Sequence, residues 1–274
     1  MIDLHIHSRF SDGTDTIDDL LKIAKNKNLP DLALTDHDTT LGVKEIVEKG
    51  SKENINAVPG IEISSVSNNR MIHILGYNID IENSQLQELL NIINNYFNET
   101  FFEHYSYLLK NNILDFDINK IIKYACYKQS IALSDILKAM IAEGAPYTLK
   151  DWPEFLNTKI KLYHGHFIEN FPVHSSEAVE VIKQAGGIPV FAHPAKIGYA
   201  DLEETKILLP HGLRGIEVYY PYHDKKLVER YEHFAHKHDL ICTGGTDWHG
   251  SELTTWNAEI GDFGVNDIKI LSTS

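Results

Sequence analysis

The run Ile2-Asp3-Leu4-His5-Ile6-His7-Ser8 sets the reading of this chain. Ile2, Leu4 and Ile6 alternate with Asp3, His5 and His7, the period of two expected of a strand with one apolar and one polar face. Side chains on one face point the same way, so His5 and His7 can offer two imidazoles to a single ion. Asp12, in the turn-like run Ser11-Asp12-Gly13-Thr14, can return a carboxylate to the same place. An isolated His-x-His is as often the wet face of a half-buried strand, so the weight comes from the rest of the chain.

Working outward, Thr16 is placed to cap a helix with Ile17, Leu20, Leu21 and Ala24 on one face, ended by Asn28-Leu29-Pro30. Leu32-Ala33-Leu34-Thr35 reads as a buried strand running into Asp36-His37-Asp38-Thr39. A helix over 41–49 leads to a strand over 57–64, interrupted by Pro59-Gly60 and carrying Glu62. Met71-Ile72-His73-Ile74-Leu75-Gly76-Tyr77 is the next strand. From 83 to 171 the periodicity is helical throughout, with Leu86, Leu89, Leu90 and Ile93 as one stripe and a second helix over 131–141 closed by Gly144 and Pro146. This stretch is expected to be an inserted helical subdomain, with 1–82 and 172–274 forming the main domain around it.

Alternation then resumes. A helix over 176–185 ends at Gly186-Gly187, and Ile188-Pro189-Val190-Phe191-Ala192 is a buried strand ending at His193-Pro194. Gly215-Ile216-Glu217-Val218-Tyr219-Tyr220 is a strand, 227–238 a helix, and Leu240-Ile241-Cys242-Thr243 a last strand entering Gly244-Gly245-Thr246-Asp247-Trp248-His249. Strands mostly separated by helices favour an α/β fold with a parallel sheet.

Composition bounds the function. The 274 residues carry a net charge of −14 with only 25 Lys and Arg, which argues against a long nucleic-acid groove. The two cysteines, Cys126 and Cys242, have no spacing of a disulfide scaffold or zinc ribbon. No apolar run reaches membrane-spanning length and Met1 leads straight into a strand, so a cytoplasmic protein is expected. The 15 histidines are the unusual feature. His5, His7, His37, Glu62, His193, Asp247 and His249 fall at or past the C-terminal ends of expected strands, and His73 lies within one. That edge is where α/β folds build active sites. With Asp12 they exceed the needs of one tetrahedral ion and suit two or three, with bridging carboxylates. His233, His236 and His238 sit on a charged helix and read as solvated.

Asp3-Leu4-His5-Ile6-His7-Ser8, Ala33-Leu34-Thr35-Asp36-His37-Asp38-Thr39, Pro59-Gly60-Ile61-Glu62-Ile63-Ser64, His73-Ile74-Leu75-Gly76-Tyr77, Ala192-His193-Pro194, Gly215-Ile216-Glu217-Val218 and Gly245-Thr246-Asp247-Trp248-His249 together resemble the PHP (polymerase and histidinol phosphatase) superfamily. Within it the chain is most similar to phosphoesterases that cleave nucleoside 3′,5′-bisphosphates and the 5′ ends of short RNA, which also carry a helical insertion. The resemblance implies a distorted seven-stranded (β/α)7 TIM-like barrel. It implies His5, His7, Glu62 and Asp247 around one ion, Asp12, His37 and His249 around a second, and His73 and His193 with shared Glu62 around a third. Imidazole mixed with carboxylate suits Mn, Fe or Zn better than Ca. The departure lies in the insertion. Where those relatives have an Arg-Pro-His-like run that helps hold phosphate, this chain reads Ser130-Ile131-Ala132-Leu133-Ser134-Asp135.

The implied chemistry is metal-assisted hydrolysis of a small phosphomonoester, a nucleotide by preference, with Asp247, His249 and His193 nearest the reaction. His223 is a candidate proton donor or substrate contact. Arg9 and Lys196, which follow metal motifs, are candidate phosphate clamps, and Tyr163, Tyr220 and Tyr222 candidate stacking faces for a base. No activity is expected on long duplex nucleic acid. A histidinol-phosphate phosphatase is the alternative enzyme, and a non-catalytic metal-binding accessory module the alternative of another class. His164 and His166 mark where ions would sit if that ligand assignment were wrong. The insertion is expected over the barrel mouth, because the chain leaves and re-enters beside metal motifs.

Overall fold

The computed structural model describes residues 1–125, 128–160, 167–196, 202–254 and 256–271. Cys126, Tyr163, His164 and His166 lie outside them. Seven strands, β1 (Asp3–Ile6), β2 (Asp31–Leu34), β3 (Asn56–Ser67), β4 (Arg70–Tyr77), β5 (Ile188–Phe191), β6 (Gly215–Tyr219) and β7 (Ile241–Gly244), form one curled sheet in chain order. Beyond β7 an isolated parallel bridge joins Ile6 to Trp248, and the His7 amide donates to the Trp248 carbonyl at 2.8 Å. The first strand is thereby held against the segment that follows the last.

Helix α1 (Ile17–Asn26) starts where the sequence places it: the Thr16 hydroxyl accepts from the Asp19 amide, and the Asp19 carboxylate accepts from the Thr16 amide. Its buried Ile17, Leu20, Leu21 and Ala24 pack with Ile6 of β1. Helix α2 (Val43–Lys52) packs with β3.

Two expectations about the sheet change. β3 is not interrupted at Pro59-Gly60. It pairs in parallel with β2 over 56–59 and antiparallel with β4 over 60–67, so the dipeptide marks a change of partner. The sheet is also not wholly parallel, since β4 runs antiparallel to both β3 and β5. The cause is local: Asn68 and Asn69 both take positive φ (49° and 57°), which makes the two-residue hairpin turn that reverses the chain. His73 is in mid-strand for the same reason. The N-terminal half of β4 lies at the edge where the other strands end, with His73 opposite Ser64.

Because β4 is reversed, the chain leaves the sheet at the far edge and not beside a metal motif. Helix α3 (Ser84–Lys110) carries it back, and at 27 residues it is about 40 Å long. Its N-terminal stripe, Leu86, Leu89, Leu90 and Ile93, packs with Ile61 and Ile63 of β3 and with Ile182 of α7 (Ser175–Gln184, following α6 below). At mid-length Asn94 Nδ2 donates to the Asp38 carbonyl at 2.8 Å, beside His37. Farther on, Phe101 and Leu108 enter a separate apolar cluster with α4 (Asn119–Ala125), α5 (Leu133–Ala142) and α6 (Trp152–Phe155). Helix α5 ends near Gly144, in the left-handed region at φ 89°. The later helices are α8 (Glu203–Leu208) and α9 (Lys225–Lys237), the latter packed on β6. No helix among the described residues is long and apolar enough to cross a membrane.

Candidate metal centre

β1 does not show water one face. Asp3, His5 and His7 are each 0% exposed, and the regular alternation is broken by a slip in the pairing with β2 between Asp3 and Ile6. Leu4 and Ile6 pack into different clusters. The two imidazoles nevertheless converge, with ring centroids 5.1 Å apart, and Nε2 of His5 and of His7 lie 3.0 and 3.1 Å from Glu62 Oε2.

Glu62 is the hub. Its Oε2 also lies 3.4 Å from His37 Nε2, while its Oε1 meets His73 Nδ1 at 3.0 Å and His193 Nε2 at 2.9 Å. Asp247 Oδ1 stands 3.4 Å from His5 Nε2 and 3.1 Å from His7 Nε2, and Asp12 Oδ1 3.2 Å from His249 Nε2. Among the described residues, three groups have donor atoms within 4.8 Å of one another: His5, His7, Glu62 and Asp247; His7, Asp12, His37 and His249; and His37, Glu62 and His73. The first two contain the sets expected from the sequence. The third has His37 where His193 was expected, although His73 and His193 share one oxygen of Glu62.

The backbone is bent to aim these groups. Asp38, His193 and Asp247 have positive φ (52°, 27° and 53°), a conformation that costs non-glycine residues energy and is concentrated at functional sites. A shell of buried carboxylates fixes the frame. Asp36 accepts from the Ser8 amide and hydroxyl and from the Ser11 hydroxyl, and Asp38 from the Ser64 amide and hydroxyl. The two acids flanking His37 thus pin the residues that follow His7 and nearly follow Glu62. Asp3 accepts from the amides of His5, Thr246 and Gly261. Glu217, for which the sequence suggested no role, holds His5 Nδ1 at 2.9 Å and the His193 amide at 2.8 Å. Its signal was an acid in an otherwise apolar strand.

Charge in the centre follows from crowding. Burial alone would lower His7, yet the adjoining carboxylates of Asp247 and Glu62 push it up to about 9. His5 is likewise raised against its burial by Glu217, Glu62 and Asp247. Burial dominates at His37 and His193, which fall to about 3. Glu62, Asp12 and Asp247 are held well below the carboxylate range despite burial, by His37, His249 and Lys196 respectively as their leading partners. Several atoms of these side chains meet no hydrogen bond: both nitrogens of His7, Nδ1 of His37 and His73, and Asp247 Oδ1. Close nitrogen–oxygen pairs with no hydrogen-bonding geometry between them are what a set of ligands turned toward an ion presents.

The remaining candidates separate. Lys196 Nζ pairs with Asp247 Oδ2, which also accepts from the Tyr220 hydroxyl at 2.8 Å. Tyr220 is 1% exposed, so it supports Asp247 and offers no open stacking face. Tyr222 is exposed and packs near Trp256. His223 is buried with both ring nitrogens engaged, Nδ1 by the Val218 carbonyl and Nε2 by the Ala195 amide, and burial lowers its pKa. That arrangement leaves it no proton to deliver. Arg9 lines a cavity of about 1090 Å³ together with Lys123, Lys128, Lys138 and Lys150, so basic residues that look scattered in sequence are gathered at one place. A second cavity, of about 290 Å³, lies against Asp12, His37 and His73 and is walled on its other side by 128–134 of the insertion.

A family model describing the PHP domain matches residues 3–173. The chain is 29% identical over 252 residues to a phosphoribosyl 1,2-cyclic phosphate 1,2-diphosphodiesterase of Eggerthella lenta, covering 90% of this chain and 94% of that one. It is 27% identical over 252 residues to a 3′,5′-nucleoside bisphosphate phosphatase of Chromobacterium violaceum, covering 90% and 87%. Among solved structures, one from Bifidobacterium adolescentis described as a metal-dependent phosphoesterase superposes with a TM-score of 0.80 at 24% identity, covering 97% of this chain and 92% of that one. With the histidine–carboxylate centre at the strand ends, these matches place the chain in the PHP family of metal-dependent phosphoesterases.

Proposed function

We propose that this hydrolase cleaves a small phosphorylated substrate of nucleotide type, holding two or three divalent ions of Mn, Fe or Zn class in the centre described above. One observation carries the reading: a fully buried Glu62 has both carboxylate oxygens within 3.4 Å of imidazole nitrogens from five histidines. No hydrophobic core needs that arrangement, and ions satisfy it.

Ions bound there would supply Lewis acidity, acidifying water and neutralising phosphoryl oxygens. The protein's own groups do the rest. Glu217 accepts from His5 Nδ1, which leaves His5 Nε2 turned to Glu62 and Asp247. The Asp247 carbonyl accepts from His249 Nδ1 at 2.7 Å, which leaves His249 Nε2 turned to Asp12. Lys196 has its pKa raised by Asp247 against its burial, so it stays charged and acts as a phosphate clamp and not as an acid.

Both curated relatives named above have names that describe ribose carrying more than one phosphate position. The cavity lined by Arg9 and four lysines suits a second anionic group, although Lys128 and Lys138 are paired with the buried Asp135, and Glu252 is the acid among its described lining residues. The insertion, residues 83–171, acts as a cap that supplies those lysines and excludes water. A histidinol phosphate, with its cationic tail, suits such a wall poorly. The test is turnover, with Mn²⁺ and with Zn²⁺, of a nucleoside 3′,5′-bisphosphate, a phosphoribosyl 1,2-cyclic phosphate, a nucleoside monophosphate, histidinol phosphate and a short 5′-phosphorylated RNA. The two ribose compounds that carry two phosphate groups are expected to lead. Preference for histidinol phosphate would reject this reading.

A further inference from the structure

The cavity of about 290 Å³ over the metal centre has a composition of its own. Phe97, Ile131, Trp152 and Phe167 give it apolar walls, while His37 and His73 lie at its floor. The lining is polar in part, with Ser11, Asp38, Ser64 and Asn94 among its residues, and away from the histidines two polar side chains stand out. The Ser134 hydroxyl is buried on a residue 3% exposed, the Gln129 side-chain oxygen is buried too, and neither meets a hydrogen-bond partner. Leaving a buried donor or acceptor unmet is costly, so two of them on one cavity wall mark groups awaiting a ligand.

The chemistry of that ligand can be narrowed. Away from the floor of Asp12, His37 and His73, the apolar and aromatic walls disfavour a phosphate, and Arg9 with the lysines lines the neighbouring cavity. A purely apolar group would leave Gln129 and Ser134 unmet. A planar ring with hydrogen-bonding atoms on its edge satisfies both conditions, since its faces lie on apolar side chains and its edge meets an amide and a hydroxyl, each able to donate and accept. Lys128 borders both cavities, so a ring in one and an anionic group in the other are neighbours, as base and phosphate are in a nucleotide. We infer that this cavity is a nucleobase subsite and that Gln129 and Ser134 are its specificity-determining contacts. The inference rests on the functional reading above and deepens it, because a phosphoribosyl substrate without a base would leave the cavity unused.

The test uses the full-length, metal-loaded enzyme and two probes: adenosine 3′,5′-bisphosphate and its abasic analogue, in which hydrogen replaces the base. The wild type is expected to favour the nucleotide. Gln129→Leu and Ser134→Ala should each lower kcat/KM for the nucleotide about 5- to 10-fold, the loss of one hydrogen bond, through KM and with kcat held. Turnover of the abasic compound should stay unchanged, which a merely structural role would not allow. Equal wild-type preference for the two probes, or equal losses on both in the variants, would overturn the assignment. Calorimetric binding of the same probes to the metal-free protein is the second arm. If ions load and no phosphate ester is turned over, the functional reading fails, and the base preference in binding still decides the cavity.

Discussion

At the scale of single residues, the centre is a problem in proton placement. Metal ligands must give up their protons, and His7, a ligand in the proposed centre pushed up to about 9, holds one at neutral pH. Binding of Mn²⁺ at pH 7 should therefore release protons and tighten as pH rises toward 9, which calorimetry in buffers of different ionisation enthalpy will read. In the metal-free protein the sign is reversed. The proton on His7 contributes stability that is complete below its ordinary value of about 6.5 and is lost as pH climbs through about 9. His37 and His193, held near 3 by burial, contribute stability that is lost as pH falls below about 6.5. The melting temperature of the metal-free protein should thus peak near neutrality and decline on both sides. Glu217 gives a second residue-scale prediction. Glu217→Gln swaps one accepting oxygen for a donor facing either His5 or the His193 amide. Metal affinity should fall roughly 10- to 100-fold with the fold retained, as seen by metal titration beside circular dichroism.

At the scale of elements, strands are placed by close contact of their ends. A Cβ on Gly245 would stand 2.4 Å from the His5 Cβ and 2.5 Å from the His5 amide nitrogen. Gly245→Ala should push β7 away from β1, cost about 1–3 kcal/mol of stability and abolish high-affinity metal binding, measurable by thermal melts and metal titration. Much of this layer was legible in the sequence. The period-two and helical patterns gave the strands and α1 and put the histidines and acids at strand ends, because both are written in local spacing, while the grouping of those residues into candidate ligand sets came from the family resemblance. What could not be read depends on partners. The reversal of β4 is decided by two asparagines in the left-handed region, residues that fit an ordinary loop equally well. Burial of the polar side of β1 is imposed by acids far along the chain, Glu62, Glu217 and Asp247. His223 looked reactive for its neighbours in sequence, and backbone contacts that no local pattern shows take up both its nitrogens.

For the whole molecule, a net charge of −14 is combined with one cavity bordered by Arg9 and four lysines. Attraction of a doubly phosphorylated substrate to that wall should be screened by salt. KM for a bisphosphate is expected to rise several-fold between about 50 and 300 mM salt, and more steeply than KM for a monophosphate. Lys150→Glu should raise it further and flatten the salt dependence, while the monophosphate is little affected. Equal salt slopes for both substrates would remove the lysine wall from substrate binding.

The helix α3 has a mechanical consequence. Its first half is anchored among β3, β4 and α7 and its second half among the helices of the insertion, with the change of neighbours falling between Phe97 and Phe101. It therefore works as a continuous strut. The outer half cannot swing on a loose loop at that end, so tilting it means bending the helix or shifting the Asn94 contact beside His37. The unit that can be exchanged between relatives is accordingly smaller than the inserted sequence. Grafting at residue 83 would strip Leu86, Leu89, Leu90 and Ile93 from the core, whereas a splice within the helix near residue 98 keeps the foundation and replaces only the superstructure. With the insertion as the proposed cap, substrate choice is open to rebuilding from the middle of one helix outward, with the candidate metal centre left standing.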